Sequence, residues 1–215
     1  MKKMLKTSDN YNNSKKRGKT MAKFRPYGTN KELDKLVDSA DWRDHYKVAR
    51  QGYGLDKLVD DRESWVRKAV AMKGYGLEKL VDDEDCNVRE TVAKQGYGLD
   101  RLIDDEDPDV RIAVAEQGYG LGKLVDDKYF LIRIAVARQG YGLDKLIDDE
   151  YWIVRRAVAY QGYGLDKLVN DEDWHVREAV KEYLKENKYN DLQEWKKGNP
   201  DKTYHKDDKS KGEER

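Results

Sequence analysis

The 215-residue chain has a single cysteine, Cys86, so neither a disulfide framework nor a cysteine-based zinc site is open to it. Its three histidines, His45, His175 and His205, are widely spaced. None has a second ligand at useful spacing, so no metal and no cofactor is expected. No apolar run approaches the ~18 residues of a membrane-spanning helix. The basic start, Met1 to Lys6, is followed by no apolar stretch, which argues against a secretory signal. Serine is scarce through the middle of the chain, and no nucleophile stands beside a base. These absences point to a cytoplasmic protein that is not an enzyme and has no membrane partner.

Net charge is absent as well. The chain has 43 Lys+Arg against 43 Asp+Glu, although 40% of residues are charged. The zero is a cancellation. Residues 1–27 hold Lys2, Lys3, Lys6, Lys15, Lys16, Arg17, Lys19, Lys23 and Arg25 against Asp9, a sum of +8. Residues 28–183 sum to −9 and residues 184–215 to +1. The first stretch has no apolar period and reads as a basic disordered arm. It is a solubilising tail, sequence upstream of a start at Met21, a contact for nucleic acid or an acidic partner, or a strap for its own acidic neighbour. Residues 198–215 read as a second disordered tail, polar in composition.

What is present is a repeat. Gly-Tyr-Gly-Leu recurs with its first glycine at Gly52, Gly74, Gly96, Gly118, Gly140 and Gly162, always 22 residues apart. Such self-similarity marks a stacked repeat architecture. Counting that glycine as position one, Leu99, Leu102 and Ile103 at positions four, seven and eight form a short amphipathic stripe of about two turns, in part 3₁₀. Val110, Ala113 and Val114 at positions fifteen, eighteen and nineteen form a second stripe. Asp107 before Pro108 signals the start of this second helix, and the next glycine its end. A degenerate repeat begins at Asn30, where His45 stands for the usual Arg. Leu192 and Trp195 mark a closing half-repeat. The repeats with this cap therefore fill residues 28–197.

The segment Asp105 to Ala115, Asp-x-x-x-x-Val-Arg-x-Ala-Val-Ala, resembles HEAT-like repeats. The short period is closer to the leucine-rich repeat variant, which alternates α and 3₁₀ helices. The resemblance implies an all-α fold, an α-solenoid of about seven two-helix repeats with a C-terminal cap. Function does not follow from it, because such folds host many roles.

Comparing the repeats with one another separates scaffold from display. Position sixteen is Arg and position ten is Asp in all six good repeats. They predict a ladder between neighbouring turns and helices, the guanidinium also bonding loop carbonyls; the alternative is an acidic strip that binds metal or mimics phosphates. The tyrosines at position two predict a packed row. Cys86, at a helix start, is read as a small side chain whose pKa a helix terminus would lower.

Positions thirteen, fourteen, seventeen and twenty-one point away from the core stripe and should be polar. In two repeats they are not. Phe130, Leu131, Ile134 and Arg138 occupy them in one, and Trp152, Ile153, Arg156 and Tyr160 in the next. Tyr129 and Tyr151 precede them at position twelve, and Ile112 extends the stripe one repeat earlier. Trp174 and His175 extend it one repeat later. Exposed apolar and aromatic side chains with Arg are the types found at interfaces. The stripe is the candidate partner-binding site for a protein or peptide; burial against neighbouring repeats and homodimer packing are its rivals. The other functions left open are an acidic decoy for a nucleic-acid-binding enzyme and nucleic-acid binding through the N-terminal arm.

Overall fold

The computed structural model describes residues 30–204, and the basic arm lies outside them. Among the described residues the protein is all-α, with fifteen α-helices, a closing 3₁₀ turn and no strand. The chain divides into two compact bodies, Met1–Gly118 and Tyr119–Arg215. In the first body the helices are α1 (Lys31–Val37), α2 (Trp42–Gln51), α3 (Leu55–Leu58), α4 (Ser64–Met72), α5 (Leu77–Leu80), α6 (Cys86–Lys94), α7 (Leu99–Leu102) and α8 (Pro108–Glu116). In the second they are α9 (Leu121–Leu124), α10 (Phe130–Arg138), α11 (Leu143–Leu146), α12 (Trp152–Tyr160), α13 (Leu165–Leu168), α14 (Trp174–Glu186) and α15 (Leu192–Gly198), closed by the turn Pro200–Lys202. No helix among the described residues is long and apolar enough to cross a membrane.

The long helices pack side by side, α2 on α4, α4 on α6 and α6 on α8 in one body, α10 on α12 and α12 on α14 in the other. The expected stripe forms their core: Val66, Val88, Val110, Val154 and Val176 are fully buried. Alanine at position twenty is fully buried too, at Ala71, Ala93, Ala115, Ala137 and Ala159. Its small side chain lets neighbouring long helices approach. Asp107 caps α8 as expected, its carboxylate accepting the Asp109 N–H at 2.8 Å.

The short helices depart from expectation. Each is four residues long, little more than one turn, and is α-helical. Two features limit its length. A left-handed glycine at position three, such as Gly98 at φ 61°, starts it. A tight bond from position ten to the carbonyl of position seven, Asp105 N–H to Leu102 O at 3.1 Å, then turns the chain away. The stretch from Gly198 was expected to be a free polar tail. Through Tyr204 it instead lies against the last repeat: Gly164 donates to the Lys202 carbonyl at 2.7 Å, and Tyr204 N–H to Asp166 at 3.1 Å. The cap is therefore longer than apolar spacing alone indicated, because polar bonds and Lys167, 3.9 Å from the Tyr204 ring, hold its end. Trp195 is its anchor, with no exposed surface.

The Arg–Asp ladder forms within each body. Arg67 pairs with Asp83 and Arg89 with Asp105 in the first; Arg133 pairs with Asp149 and Arg155 with Asp171 in the second. Each pair is bidentate, with Nε and Nη2 on the two carboxylate oxygens. The remaining Nη1 donates to two carbonyls of its own repeat's loop, as Arg89 does to Asp83 O at 2.8 Å and Glu84 O at 3.1 Å. The carboxylate in turn accepts the N–H two residues on, Asp107 N–H to Asp105 at 2.9 Å. One side chain thus ties helix, loop and next loop together. Burial pushes the Asp105 carboxyl pKa up, but the bonds from Arg89 and the Asp107 N–H outweigh it and hold the group below the usual carboxylate value.

A second, exposed ladder escaped the comparison of repeats. The base at position six reaches the acid at position nine of the preceding repeat, as in Lys57–Asp38, Lys79–Asp60, Lys145–Asp126 and Lys167–Asp148. Most of these side chains are more than half exposed, so solvent screens each pair and it adds little to stability.

The degenerate first repeat keeps the ladder with a different residue. His45 Nδ1 lies 2.5 Å from Asp61 Oδ2 and its Nε2 lies 2.7 Å from the Ser39 carbonyl. These are the partners that Arg would take, but the ring makes one carboxylate bond where a guanidinium makes two. His45→Arg should therefore stabilise the first body. About 1 kcal/mol for the added bond corresponds to a rise of about 2–4 °C in a thermal melt. No rise, or a fall, would mean the longer side chain does not fit.

Candidate functional site

Twelve of the thirteen stripe residues gather in the second body, ten of them on α10, on α12 and at their N-termini, and Trp174 and His175 on α14. Ile112 is half-buried on α8, in the other body. Tyr129, Leu131, Tyr151 and Tyr160 are each between 41% and 48% exposed, and Trp174 of α14 is 60% exposed. Ile134 differs from expectation. It is only 5% exposed, because position seventeen of α10 faces across to α12. There Ile134, Arg138, Ile153, Arg156, Ala157, Tyr160 and Gln161 line a shallow cleft of about 100 Å³.

The larger rings neither stand free nor fold into the core. Phe130 is half-buried and stacks on Tyr151 of the next repeat, with centroids 4.7 Å apart and planes 14° apart. Trp152 stacks on His175 at 4.4 Å, and Trp174 stacks on the same imidazole at 3.7 Å. The Arg156 guanidinium lies 5.1 Å from the Trp152 ring and that of Arg133 lies 5.6 Å from Tyr151. Arranging rings and cations this way fixes the side chains before any partner arrives, which lowers the entropy cost of binding. Tyr160 donates to Glu182 at 2.7 Å, and that bond, with burial, raises its phenol pKa. The self-burial reading therefore holds for Ile134 and in part for Phe130 and Trp152, while the tyrosines and Leu131 keep open surface.

The N-cap position carries a separate signal. Asp41, Asp85, Asp107 and Asp173 each cap their long helix with a side-chain bond. Tyr129 and Tyr151 take the same position in the two stripe helices and make no capping bond. A lost cap costs about 1 kcal/mol. The two stripe repeats thus trade local stability for aromatic surface. Tyr129→Asp should restore the bond and raise the melting temperature by about 2–4 °C. A drop on thermal denaturation would show that the Tyr129 ring is itself structural.

Cys86 requires correction. The helix start does not lower its pKa; a bond to the Asp107 carboxylate, and burial after it, raise it. The tyrosines at position two do not behave alike. Tyr53 is buried with its hydroxyl on Asp34, whereas Tyr97 and Tyr141 are 40% and 46% exposed. Among the described residues no group of three or more His, Cys, Asp or Glu side chains is placed to hold a metal.

A second aromatic group, on α2 and α4, was missed. Trp42, Arg43, Tyr46, Lys47 and Trp65 line a cleft of about 350 Å³ with mainly apolar walls. The signal was there: Trp42, Tyr46 and Trp65 occupy positions thirteen, seventeen and fourteen of the first two repeats. No family model matches the chain, and no curated protein matches it.

Proposed function

We propose that the protein is a non-catalytic binding scaffold, built as an α-solenoid of about seven HEAT-like repeats with a C-terminal cap. Its site for a protein or peptide partner is the face of Tyr129, Leu131, Tyr151, Trp152, Ile153 and Tyr160. One observation carries this reading. At the start of two adjacent helices the chain replaces an Asp cap by a Tyr whose ring is more than 40% exposed. The exposed tyrosines, more than the missing bond, favour a binding surface, since Glu63 of α4 also caps without a side-chain bond. The clustering of Trp, Tyr and Arg agrees with the composition of energetic centres at interfaces. The pre-stacked rings favour a partner held by contact area.

Trp152→Ala combined with Ile153→Ser should abolish capture of the partner from the native cell and leave the helical signal unchanged. Loss of the helical signal would make these residues core. Retained capture would remove the stripe from the site. Capture should survive raised salt, because an apolar contact is not screened; capture that falls steeply with salt would favour the acidic-decoy reading.

A further inference from the structure

We propose that the cleft between α2 and α4 binds single-stranded nucleic acid. The outer positions thirteen, fourteen, seventeen and twenty-one of these two helices read Trp42, Arg43, Tyr46 and Arg50, then Ser64, Trp65, Lys68 and Met72. Three are aromatic, three are basic and none is acidic, in a segment whose residues 28–183 sum to −9. Each ring has a cation against it. Arg43 lies 5.2 Å from the Trp42 ring, Arg50 lies 5.9 Å from Tyr46, and Lys68 lies 5.7 Å from Trp65. Trp65 is 56% exposed and borders the cleft that Trp42, Tyr46, Arg43 and Lys47 complete. Arg43 and Lys47 also meet Asp41 at 3.5 Å and Asp44 at 3.0 Å. Among the described residues no carboxylate lies within ion-pair distance of Arg50 or Lys68.

Flat π-faces alternating with cations, of which Arg50 and Lys68 have no carboxylate against them, match a ligand that alternates flat bases with phosphates. Stacking needs bases with a free face, which a single strand offers and a duplex does not. An acidic peptide fits less well, because it meets the cations but offers no regular series of flat groups for the Trp42, Tyr46 and Trp65 rings. This surface is in a different body from the stripe on α10 and α12, and its residues are distinct from it.

The test is fluorescence anisotropy of labelled 12-nucleotide oligo(dT) and oligo(rU), and of a 12-base-pair duplex, with the full chain at 50 and 200 mM salt. Both single strands should bind more tightly than the duplex, and binding should weaken steeply with salt. Trp65→Ala should weaken single-strand binding by about tenfold or more, and Trp65→Phe should retain most of it. Arg50→Ala with Lys68→Ala should make the salt dependence shallower. The helical signal of each variant checks the fold, and Trp152→Ala with Ile153→Ser should leave oligonucleotide binding unchanged. Absence of single-strand binding at 50 mM salt would overturn the proposal. So would binding that ignores Trp65, Arg50 and Lys68 but vanishes when residues 1–20 are removed, since the arm alone would then hold the strand. A Glu–Tyr copolymer that binds in a Trp65-dependent way while the oligonucleotides do not would assign the cleft to an acidic protein instead.

Discussion

Arg89→Ala is expected to destabilise the first body by about 3 kcal/mol, the lower end of the cost of breaking a buried ion pair from one side. The side chains of Arg89 and Asp105 are 11% and 7% exposed, so the abandoned carboxylate gains little water. It keeps only the Asp107 N–H at 2.9 Å. The Asp83 and Glu84 carbonyls lose their shared donor at the same time. For a chain of this size the melting temperature should fall by about 6–12 °C. Arg89→Lys should recover little of it, because an ammonium is a point charge that spans neither both carboxylate oxygens nor both loop carbonyls. Replacing Arg89 and Asp105 together with apolar residues should cost less than the single change, since no charge is then stranded. A melt shifted by less than about 1 °C in Arg89→Ala would reduce the ladder to a surface feature.

Gly98→Ala is the second large effect, expected at about 2–4 kcal/mol. The backbone there has φ 61°, a conformation that costs an L-residue about 1–2 kcal/mol. The added Cβ would also stand 2.5 Å from Val81 Cγ2, where no real contact is tolerated. Val81 is 1% exposed and packed in the preceding repeat, so it has nowhere to go. Overpacking of this kind adds about 1–3 kcal/mol. The two causes separate in a double-mutant cycle. Val81→Ala should relieve the clash in Gly98→Ala but not the backbone strain, so the double change should be less destabilising than the sum of the singles. Strict additivity in urea denaturation would show that the backbone alone is responsible.

The same glycine shows how far the sequence could be read. Its recurrence at position three was visible, but its reason was not, because the valine it makes room for lies 17 residues earlier and across a turn. The helices themselves were legible from Asp107, Pro108 and the spacing of Val110, Ala113 and Val114, all local signals. The Arg89–Asp105 rung was legible because both members repeat without exception. The position-six to position-nine pairs were nearly as periodic, yet position six changes between Lys and Arg and Asn170 interrupts position nine, which hid the pattern. At the candidate site, the composition of α10 and α12 revealed the stripe, but composition does not say which face a neighbour covers. Ile134 sits on the outer arc of its own helix and is buried by the next one. The Trp42, Tyr46 and Trp65 group was lost for another reason. Trp42 and Tyr46 stand in the degenerate first repeat, and Trp65 is the lone aromatic on the outer face of its own helix, so neither helix has an adjacent apolar pair like Phe130–Leu131 or Trp152–Ile153.

The ladder also bears on how such a chain changes length. Each rung joins a guanidinium to a carboxylate 16 residues further on, across a junction that is nearly the same in every repeat. Excision of one 22-residue block, residues 74–95 for instance, would leave Arg67 facing Asp105 as it now faces Asp83. Loss of 21 or 23 residues would instead mismatch the rung and the stripe at the junction where the loss falls. The gene can therefore grow or shrink by whole blocks while the protein's weld points stay matched. The surfaces on α2–α4 and α10–α12 become cargo whose spacing along the chain is set by how many plain blocks separate them.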